Sequence, residues 1–228
     1  MKVTAQGLLF DMDGILISSL GSVERSWAKW AERSGLDVAE TIQAAHGRRA
    51  LETLRELMPA GDHQADLRLI EELEINDTEG LAVLPGVRRI LESTPQRFWT
   101  IVTSATARLA RARLACAGIP APDRFVAADA VANGKPHPEP YLMGAALLGL
   151  PPASCIVVED SRSGAIAGRC AGCRVLATTF SHTVEQLEDA DWIVESLDRV
   201  QVKTREDHGI ELEFEPLPRA AASGTLRR

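Results

Sequence analysis

Short runs of apolar residues alternate along the chain with segments whose apolar positions recur every three or four residues. The runs predict β-strands, and the spaced positions predict amphipathic helices that each bury one face. Regular alternation of the two predicts a parallel sheet with helices on both faces. The predicted strands are residues 7–10, 99–103, 125–127, 156–158 and 175–177.

One long interval interrupts this alternation. Almost ninety residues separate the first predicted strand from the second, far more than a single crossover helix needs, and several patterns of helical period lie among them. We therefore predict an all-helical domain at residues 16–82, inserted into an α/β core formed by residues 1–15 and 83–214. The alternative is one larger α/β domain that carries extra helices on its face.

The pattern weakens towards the C-terminus. Residues 192–194 form a further apolar run, and residues 200–214 alternate partly around a turn at Asp207-His208-Gly209. The first predicts a short strand and the second a terminal hairpin. Residues 215–228 contain no such pattern and predict a flexible tail.

The composition is that of an ordinary folded protein. Apolar residues make up 45% of the 228 residues and charged residues 25%, which argues against wholesale disorder. The net charge of −7 argues against a nucleic-acid-binding protein, because such proteins normally carry a basic surface. No apolar run approaches the roughly 20 residues that span a bilayer, and the first residues lack the apolar core of a secretion signal. We expect a cytoplasmic monomer that acts on a small molecule, with no nucleic-acid or membrane partner.

The four cysteines agree with this location, since they form no framework of disulfide spacing. Cys170 and Cys173 have the C-x-x-C spacing of a redox pair or of half a zinc site. No second Cys/His pair follows at ligand spacing, and Gly172 places the pair at the end of a helix, where thiolates are not favoured. We interpret the pair as packing residues.

Two acidic pairs follow two of the apolar runs. Asp11 and Asp13 come directly after the first predicted strand, and residues two apart in an extended segment point to the same side. Glu159 and Asp160 follow the strand at 156–158, and ligands bind where the carboxyl ends of parallel strands meet. Adjacent carboxylates repel unless a cation or a shared proton relieves them, and Mg²⁺ is a cation that carboxylates and a substrate phosphate can hold together. For Asp11 and Asp13 taken alone, simple turn formation is the alternative.

Two further motifs suit an anionic ligand. Thr103 and Ser104 end another predicted strand where a helix follows, and hydroxyl and free N–H groups at such a point bind phosphate. Lys135 is one of only four lysines and stands between Gly134 and Pro136, a rigid setting that suits a lysine holding phosphate charge. The alternatives are a simple helix cap and a surface lysine in a loop.

In their order and spacing these motifs resemble those of the haloacid dehalogenase superfamily of phosphotransferases. The resemblance rests on DMDG at 11–14, Thr103, the Lys-Pro pair at 135–136 and the Glu-Asp pair at 159–160, and it covers roughly residues 7–200. It looks most like the small sugar phosphatases, 2-deoxyglucose-6-phosphatases and β-phosphoglucomutases. This implies a Rossmann-like three-layer α/β/α core with a parallel sheet, an inserted all-helical cap domain, and Mg²⁺-dependent hydrolysis of sugar phosphates.

The resemblance also implies a role for each motif residue. Asp11 is the nucleophile that becomes an aspartyl-phosphate, and Asp13 is the acid for the leaving alkoxide and then the base for water. Thr103, Ser104 and Lys135 hold phosphoryl oxygens. The implied Mg²⁺ ligands are Asp11, the backbone carbonyl of Asp13, and Asp160, with Glu159 in or next to the coordination shell.

The cap is expected to select the substrate. Residues 46–49 read HGRR before a predicted helix, and arginine there suits sugar hydroxyls or a second anionic group, with a solvated Arg pair as the alternative. Many relatives read DGTLVDS at the hinge, whereas this sequence has Ile15 and Ser18, which changes the hydrogen bonding expected there. The candidate substrate-binding residues are Ser104, Ser19, His46, Gly47, Arg48 and Arg49.

Three other functions compete with sugar phosphatase. A β-phosphoglucomutase-like transferase is disfavoured because the cap positions that carry His and Lys in those mutases align with Val23 and His46. A dehalogenase is disfavoured by Asp13, since dehalogenases lack the second Asp of the motif. A non-catalytic regulatory protein of the same fold is disfavoured because every polar motif position holds a competent residue.

Overall fold

A five-stranded parallel sheet forms the centre of the protein in the computed structural model, which describes residues 1–45, 47–205 and 209–219. All four neighbouring pairs of strands run parallel, as the alternating pattern predicts. From one edge to the other the strands are β5 (Trp99–Ile101), β2 (Gly7–Phe10), β6 (Cys155–Glu159), β7 (Arg174–Thr178) and β8 (Trp192–Val194).

Helices cover both faces of this sheet. Successive residues of β2 point to opposite faces, so Leu8 and Phe10 belong to one apolar cluster and Leu9 to another. A strand that is buried on both faces has no polar side, which is why the predicted strands read as unbroken apolar runs. The first cluster includes α5 (Val87–Ser93) and α6 (Ala107–Ala117), and the second includes α7 (Glu139–Leu147) and α8 (Arg162–Cys170).

The prediction fails at one edge of the sheet. The strand predicted at 99–103 ends at Ile101, and residues 125–127 contribute only an isolated bridge between Val126 and Val102. The chain turns into a short 3₁₀ helix at Ala128–Ala130, so it leaves the sheet before a ladder can form. The strand predicted at 125–127 is therefore wrong.

A second, antiparallel sheet joins the two ends of the described chain. It contains β1 (Lys2–Ala5), β9 (Gln201–Thr204) and β10 (Ile210–Glu213), in the order β1-β10-β9. The predicted hairpin is confirmed as β9 and β10, while Asp207 and His208 of its turn lie outside the described residues. The described part of the predicted tail is not free, because the Leu217 N–H donates to the Ile193 carbonyl at 2.7 Å.

Four helices fill the long interval after β2. They have an apolar cluster of their own, in which the rings of Trp27 and Trp30 meet edge to face at 5.6 Å. This separate core supports the interpretation of residues 16–82 as an inserted helical domain, and we call the four helices the cap helices. They are α1 (Leu20–Ser34), α2 (Val38–Ala45), α3 (Ala50–Leu57) and α4 (His63–Asn76).

Two short strands mark where the chain leaves and rejoins the core. Strand β3 (Ile17–Ser18) pairs antiparallel with β4 (Ala82–Val83), so that Ser18 lies opposite Ala82. Ile15, the other departure at the hinge, is 1% exposed and packs in the main core. In the described ranges, no helix combines the length and apolar character that crossing a membrane requires.

The C-x-x-C pair lies in a setting that suits packing. Cys173 is buried in the same apolar cluster as Cys155, and Cys170 is exposed. Burial raises the pKa of the Cys173 thiol to about 12, which is opposite to the change that a reactive thiolate needs.

Candidate active site

The carboxyl ends of β2, β5 and β6 meet below the cap helices, and a cavity of about 320 Å³ lies between them. Its floor comes from the loops that follow these strands, as the folding rule for open parallel sheets predicts. Its roof includes cap residues Val23, Trp27, Leu67 and Ile70. The predicted site residues that line it are Asp11, Asp13, Ser19, Gly47, Arg48, Arg49, Thr103, Ser104, Lys135 and Asp160.

An acidic cluster lies at the floor of this cavity. Ligand oxygens of Asp11, Glu159 and Asp160 all lie within 4.8 Å of one another. The Lys135 ammonium donates to Asp11 Oδ1 at 2.6 Å and to Glu159 Oε1 at 2.7 Å. All four side chains are buried, and the Lys135 charge is paired with Asp11 and Glu159 at close range rather than screened by water.

The electrostatics of the cluster fit a divalent cation. Burial raises the pKa of Asp11 to about 7, although the Lys135 charge opposes the change. Burial and the charges of Glu159 and Asp11 raise the pKa of Asp160 well above its usual range. Burial alone would lower the pKa of Lys135, but the charges of Asp11 and Glu159 outweigh it and raise that pKa. One ammonium thus balances three carboxylates incompletely, and a hard cation is the partner that such an oxygen set prefers.

Glu159 differs from the two aspartates because its oxygens are already used. Oε1 accepts from Lys135 and from the Tyr141 hydroxyl, at 2.7 and 2.8 Å. Oε2 accepts from the Asp160 N–H and from both the N–H and the hydroxyl of Ser161. A carboxylate offers about four acceptor positions, so five donors saturate it. This geometry favours Asp11 and Asp160 as cation ligands and makes Glu159 the residue that orients Lys135.

Two glycines make these close approaches possible. Gly14 has a φ of +83°, and a Cβ there would lie 2.0 Å from Asp160 Oδ2. A Cβ on Gly164 would lie 1.7 Å from Glu159 Oε1. The glycine after the DMD motif and the glycine in the first turn of α8 therefore leave room for the second acidic pair.

Asp13 has a separate set of partners. Its Oδ1 accepts from the Ser19 hydroxyl at 2.6 Å and from Arg113 Nη1 at 2.8 Å. Arg113 Nη2 in turn donates to Glu74 Oε2 at 3.1 Å. Burial raises the pKa of Glu74 to about 7, with the Arg113 charge opposing the change and the Asp13 charge adding to it. Ser19, which the sequence suggested as a substrate contact, thus binds the side chain of Asp13.

The sequence reasoning missed Arg113 and Glu74, although the helical spacing contained a signal. Arg113 lies four residues after Leu109 and four before Ala117, within the buried stripe of α6. Glu74 lies four residues after Ile70 in the buried positions of α4. A charged residue at a position where the period predicts an apolar one indicates a buried ion pair or a functional group.

Three hydroxyl residues that follow β5, Thr103, Ser104 and Thr106, line the cavity. Thr103 is buried, and its Oγ1 accepts from the Ala105 N–H at 3.1 Å, so its own O–H is directed elsewhere. Thr106, and neither Thr103 nor Ser104, caps α6, because its hydroxyl accepts from the Leu109 N–H. The simple helix-cap alternative for Thr103 and Ser104 is therefore excluded.

Cap residues 47–49 contact different parts of the protein, and His46 lies outside the described residues. Arg48 forms an ion pair with Glu56 at 2.7 Å and still lines the cavity. The Gly47 carbonyl accepts from the Ser163 hydroxyl at 2.9 Å, which joins the cap to α8 of the core. Gly47 contributes a contact between cap and core through its backbone.

Arg49 connects the cap to the loop that carries Lys135. Its Nη1 donates to the Ala132 carbonyl and to Glu52 Oε1, both at 3.0 Å. Glu52 Oε1 also accepts from the Gly134 N–H at 3.0 Å. Arg49 and Glu52 therefore hold residues 132–134 against α3, one residue before the lysine of the acidic cluster.

Comparison with known proteins gives a consistent result. The profile of the family described as haloacid dehalogenase-like hydrolase matches residues 5–172. Hexitol phosphatase A of Escherichia coli (strain K12) is 42% identical over 210 residues, which cover 90% of this chain and 96% of that protein. The 2-deoxyglucose-6-phosphate phosphatase 1 of Saccharomyces cerevisiae is 30% identical and covers 96% of this chain and 99% of its own length. The crystal structure of CbbY from Rhodobacter sphaeroides with phosphate has a TM-score of 0.75 at 22% identity, covering 85% of this chain and 95% of that one, and so shares the fold.

Proposed function

The chain belongs to the haloacid dehalogenase-like hydrolase family, and from this premise we propose that it is a Mg²⁺-dependent phosphatase of small sugar phosphates that forms an aspartyl-phosphate. The observation that carries the proposal is the meeting of Asp11, Lys135 and Asp160 in one buried cluster at the floor of a covered cavity. A nucleophilic carboxylate, a fixed ammonium and a cation site are the parts that transfer of a phosphoryl group requires.

In the first half of the reaction an Asp11 oxygen attacks phosphorus while the bond between phosphorus and the sugar oxygen breaks. Asp13 gives its proton to that leaving oxygen, and Lys135 and Thr103 hold the phosphoryl oxygens. A bound Mg²⁺, for which Asp11, Asp160 and the Asp13 carbonyl are the proposed ligands, supplies neutralisation of phosphoryl charge.

In the second half the protein returns to its starting state. Asp13, now ionised, takes a proton from water, and the water oxygen attacks the phosphorus of the aspartyl-phosphate. The bond to Asp11 breaks and inorganic phosphate leaves. Splitting one displacement into two steps lowers the barrier that each must cross.

The cavity supports small phosphate esters as substrates. Its volume of about 320 Å³ lies at the lower end of ligand pockets, and cap helices close it on the side opposite the acidic cluster. The names of the relatives, hexitol phosphatase and 2-deoxyglucose-6-phosphate phosphatase, point to phosphorylated polyols and hexoses as the class to test.

Hydrolysis is favoured over phosphoryl transfer between sugar positions. A mutase must keep water from its aspartyl-phosphate and needs cap groups that recognise the sugar hydroxyl. Val23 lines the cavity at a position where the mutases carry a His, and its side chain cannot relay a proton. With β-glucose 1-phosphate and a trace of the 1,6-bisphosphate, we expect free phosphate. Accumulation of glucose 6-phosphate without matching phosphate would contradict hydrolysis.

The decisive experiment removes the nucleophile. We expect Asp11→Asn to lower phosphate release from 2-deoxyglucose 6-phosphate in Mg²⁺ buffer by at least about 10³-fold, because the amide cannot form the acyl phosphate. Asp123→Asn removes an exposed carboxylate outside the cavity and is the matched control. Substantial activity of Asp11→Asn, or equal activity of the unaltered enzyme with and without EDTA, would contradict the proposal.

A further inference from the structure

Arg113 is a buried cation that joins three parts of the molecule. It lies in α6 of the core, is 3% exposed, and binds one carboxylate with each terminal nitrogen. One partner is Asp13, in the loop after β2, and the other is Glu74, in cap helix α4. It therefore forms a continuous polar link from the cap to the proposed acid and base.

Packing alone gives a poor account of this arginine. A buried ion triad commonly contributes no more stability than apolar side chains of the same volume, and an apolar residue would continue the buried stripe of α6. Within the described part of the chain, Arg113 Nε is also buried without a hydrogen-bond partner. A buried polar atom that lacks a hydrogen-bond partner calls for a functional explanation.

The geometry around Asp13 supplies a functional explanation for Arg113. Both Arg113 and Ser19 donate to the same oxygen, Oδ1, from two directions. Two donors on one oxygen fix the plane of the carboxyl group, so that Oδ2 is the oxygen available for proton exchange in the cavity. Proton transfer depends on placement, and an error of about 1 Å can reduce a rate about 10²-fold.

The same face of α4 contacts α6 a second time. Glu71, three residues before Glu74, accepts from the Thr106 hydroxyl and from Arg108 Nη1. These contacts seat α4 on the N-terminal half of α6 and bring Glu74 to Arg113. Through Glu74 and Arg113, the cap helix is thus connected by hydrogen bonds to the side chain of Asp13.

We propose that Arg113 is a positioning residue for Asp13 and that Glu74 makes this positioning depend on the seating of α4. The inference rests on the proposed function, because it requires Asp13 to protonate the leaving group.

The test compares leaving groups in single turnovers with excess enzyme, measuring release of the alcohol. Alkoxide departure from 2-deoxyglucose 6-phosphate needs a proton, whereas the nitrophenolate of p-nitrophenyl phosphate leaves without one. For Arg113→Met we expect a loss of about 10- to 100-fold with the sugar phosphate and of less than about threefold with the aryl phosphate. Arg113→Lys should recover part of the loss, since it restores a cation that can reach Asp13.

Two reference variants make the result specific. Asp13→Asn should also lose more activity on the sugar phosphate than on the aryl phosphate, and its loss on the sugar phosphate should exceed that of Arg113→Met. Arg111→Met removes an exposed cation of the same helix, whose guanidinium lies over the Phe125 ring, and should leave both rates unchanged. Equal losses on both substrates for Arg113→Met, or no loss, would overturn the positioning role while leaving the phosphatase proposal intact.

Glu74→Gln keeps the proposal testable if Arg113→Met does not fold. It removes the charge at the cap end of the link and leaves the contact between Arg113 and Asp13. We expect the same selectivity, with a loss of about three- to tenfold on the sugar phosphate. Equal losses on the two substrates would refute the link to α4. An Asp13→Asn variant without selectivity would instead refute the role of Asp13 in the proposed mechanism.

Discussion

Glu159 is buried completely and accepts hydrogen bonds from five donors supplied by four residues. Burial alone would raise the pKa of this carboxyl group, but the Lys135 charge and the donors outweigh it and hold the pKa below its ordinary value. The negative charge of Glu159 therefore serves to fix Lys135 and the start of α8. Asp11 and Asp160 have fewer partners among the described residues, which agrees with their proposed roles towards a cation and a phosphoryl group.

We expect Glu159→Gln to lower the free energy of unfolding by about 3–5 kcal/mol and to abolish most activity, because the amide turns a donor towards either Lys135 or the loop N–H groups. Tyr141→Phe removes one of the five donors and should cost about 1 kcal/mol. Urea unfolding and phosphate release measure both. Equal stability of Glu159→Gln and the unaltered protein would contradict the assigned role.

Single residues differed in how far the sequence could predict them. Asp11, Thr103 and Asp160 could be predicted, because each follows a strand and strand ends converge by the rules of parallel sheets. Tyr141 and Arg113 could not, since their roles depend on helix packing that places them beside Glu159 and Asp13. For Arg113 the helical period offered a hint, because a charged residue occupies a position of the buried stripe.

At the scale of elements, cap helix α4 carries a buried carboxyl group, Glu74, whose contribution to the free energy of unfolding depends on pH. The pKa of Glu74 is about 7 in the folded protein and near 4.5 in an unfolded chain. The folded state therefore holds a proton that the unfolded state lacks, and the stability this contributes is lost as pH rises from about 4.5 to 7.

We expect Glu74→Gln to become more stable relative to the unaltered protein as pH increases, by about 2.5 kcal/mol between pH 5 and pH 8. Urea unfolding of both proteins in EDTA at the two pH values measures this difference. Glu92→Gln, at an exposed carboxylate, is the control and should show no such trend. Parallel stability curves for Glu74→Gln and the unaltered protein would contradict the burial of a titrating Glu74.

Two neighbouring arginines that directly precede helix α3 have different contacts. Arg49 holds the loop that precedes Lys135, whereas Arg48 lines the cavity beside Glu56. We expect Arg49→Ala to raise KM several-fold for sugar and aryl phosphates alike, because it loosens the loop that presents the lysine. Arg48→Ala should change the ranking among sugar phosphates and leave an aryl phosphate unaffected.

Arg55→Ala is the matched control for these two variants, since Arg55 lies exposed on helix α3, which directly follows both arginines. KM and kcat for three sugar phosphates and p-nitrophenyl phosphate measure all of them. A change confined to sugar phosphates for Arg49→Ala, or a uniform change for Arg48→Ala, would contradict the assigned contacts.

The sequence predicts strands best where both faces of the strand are buried. Strands β2, β6 and β7 are buried on both faces, and their apolar runs predicted them to within one residue at each end. Strand β1 was missed because only Val3 and Ala5 are buried in it, which leaves an alternation too short to recognise. The run at 125–127 is apolar because Val126 and Ala127 are buried in the core. Burial by itself does not make a segment pair with a neighbouring strand.

At the scale of the whole molecule, the proposed Mg²⁺ should stabilise the folded protein, because the unfolded chain does not hold its carboxylates together. At a concentration 100 times the dissociation constant the gain is about 2.7 kcal/mol, or roughly 5–10 °C in Tm for a chain of this size. We expect Asp160→Asn to shift this dependence to higher Mg²⁺ concentration, with excess Mg²⁺ restoring part of the activity.

Thermal unfolding across a Mg²⁺ titration measures this effect, with Asp123→Asn as the control. An Asp160→Asn variant with the Mg²⁺ dependence of the unaltered protein would contradict the assignment of Asp160 as a ligand. A Tm that does not respond to Mg²⁺ would contradict the cation site itself.

The pairing of β3 with β4 has a consequence for how such proteins diversify. Ile17 lies opposite Val83 and Ser18 opposite Ala82, so the chain leaves and returns to the core through two adjacent backbones. A segment whose ends are already neighbours can be lengthened, shortened or exchanged without moving the strands that carry Asp11 and Asp160. Recombination at these two points would place a different set of cap helices over the same phosphoryl-transfer centre. New substrates could then be acquired while the catalytic residues stay unchanged.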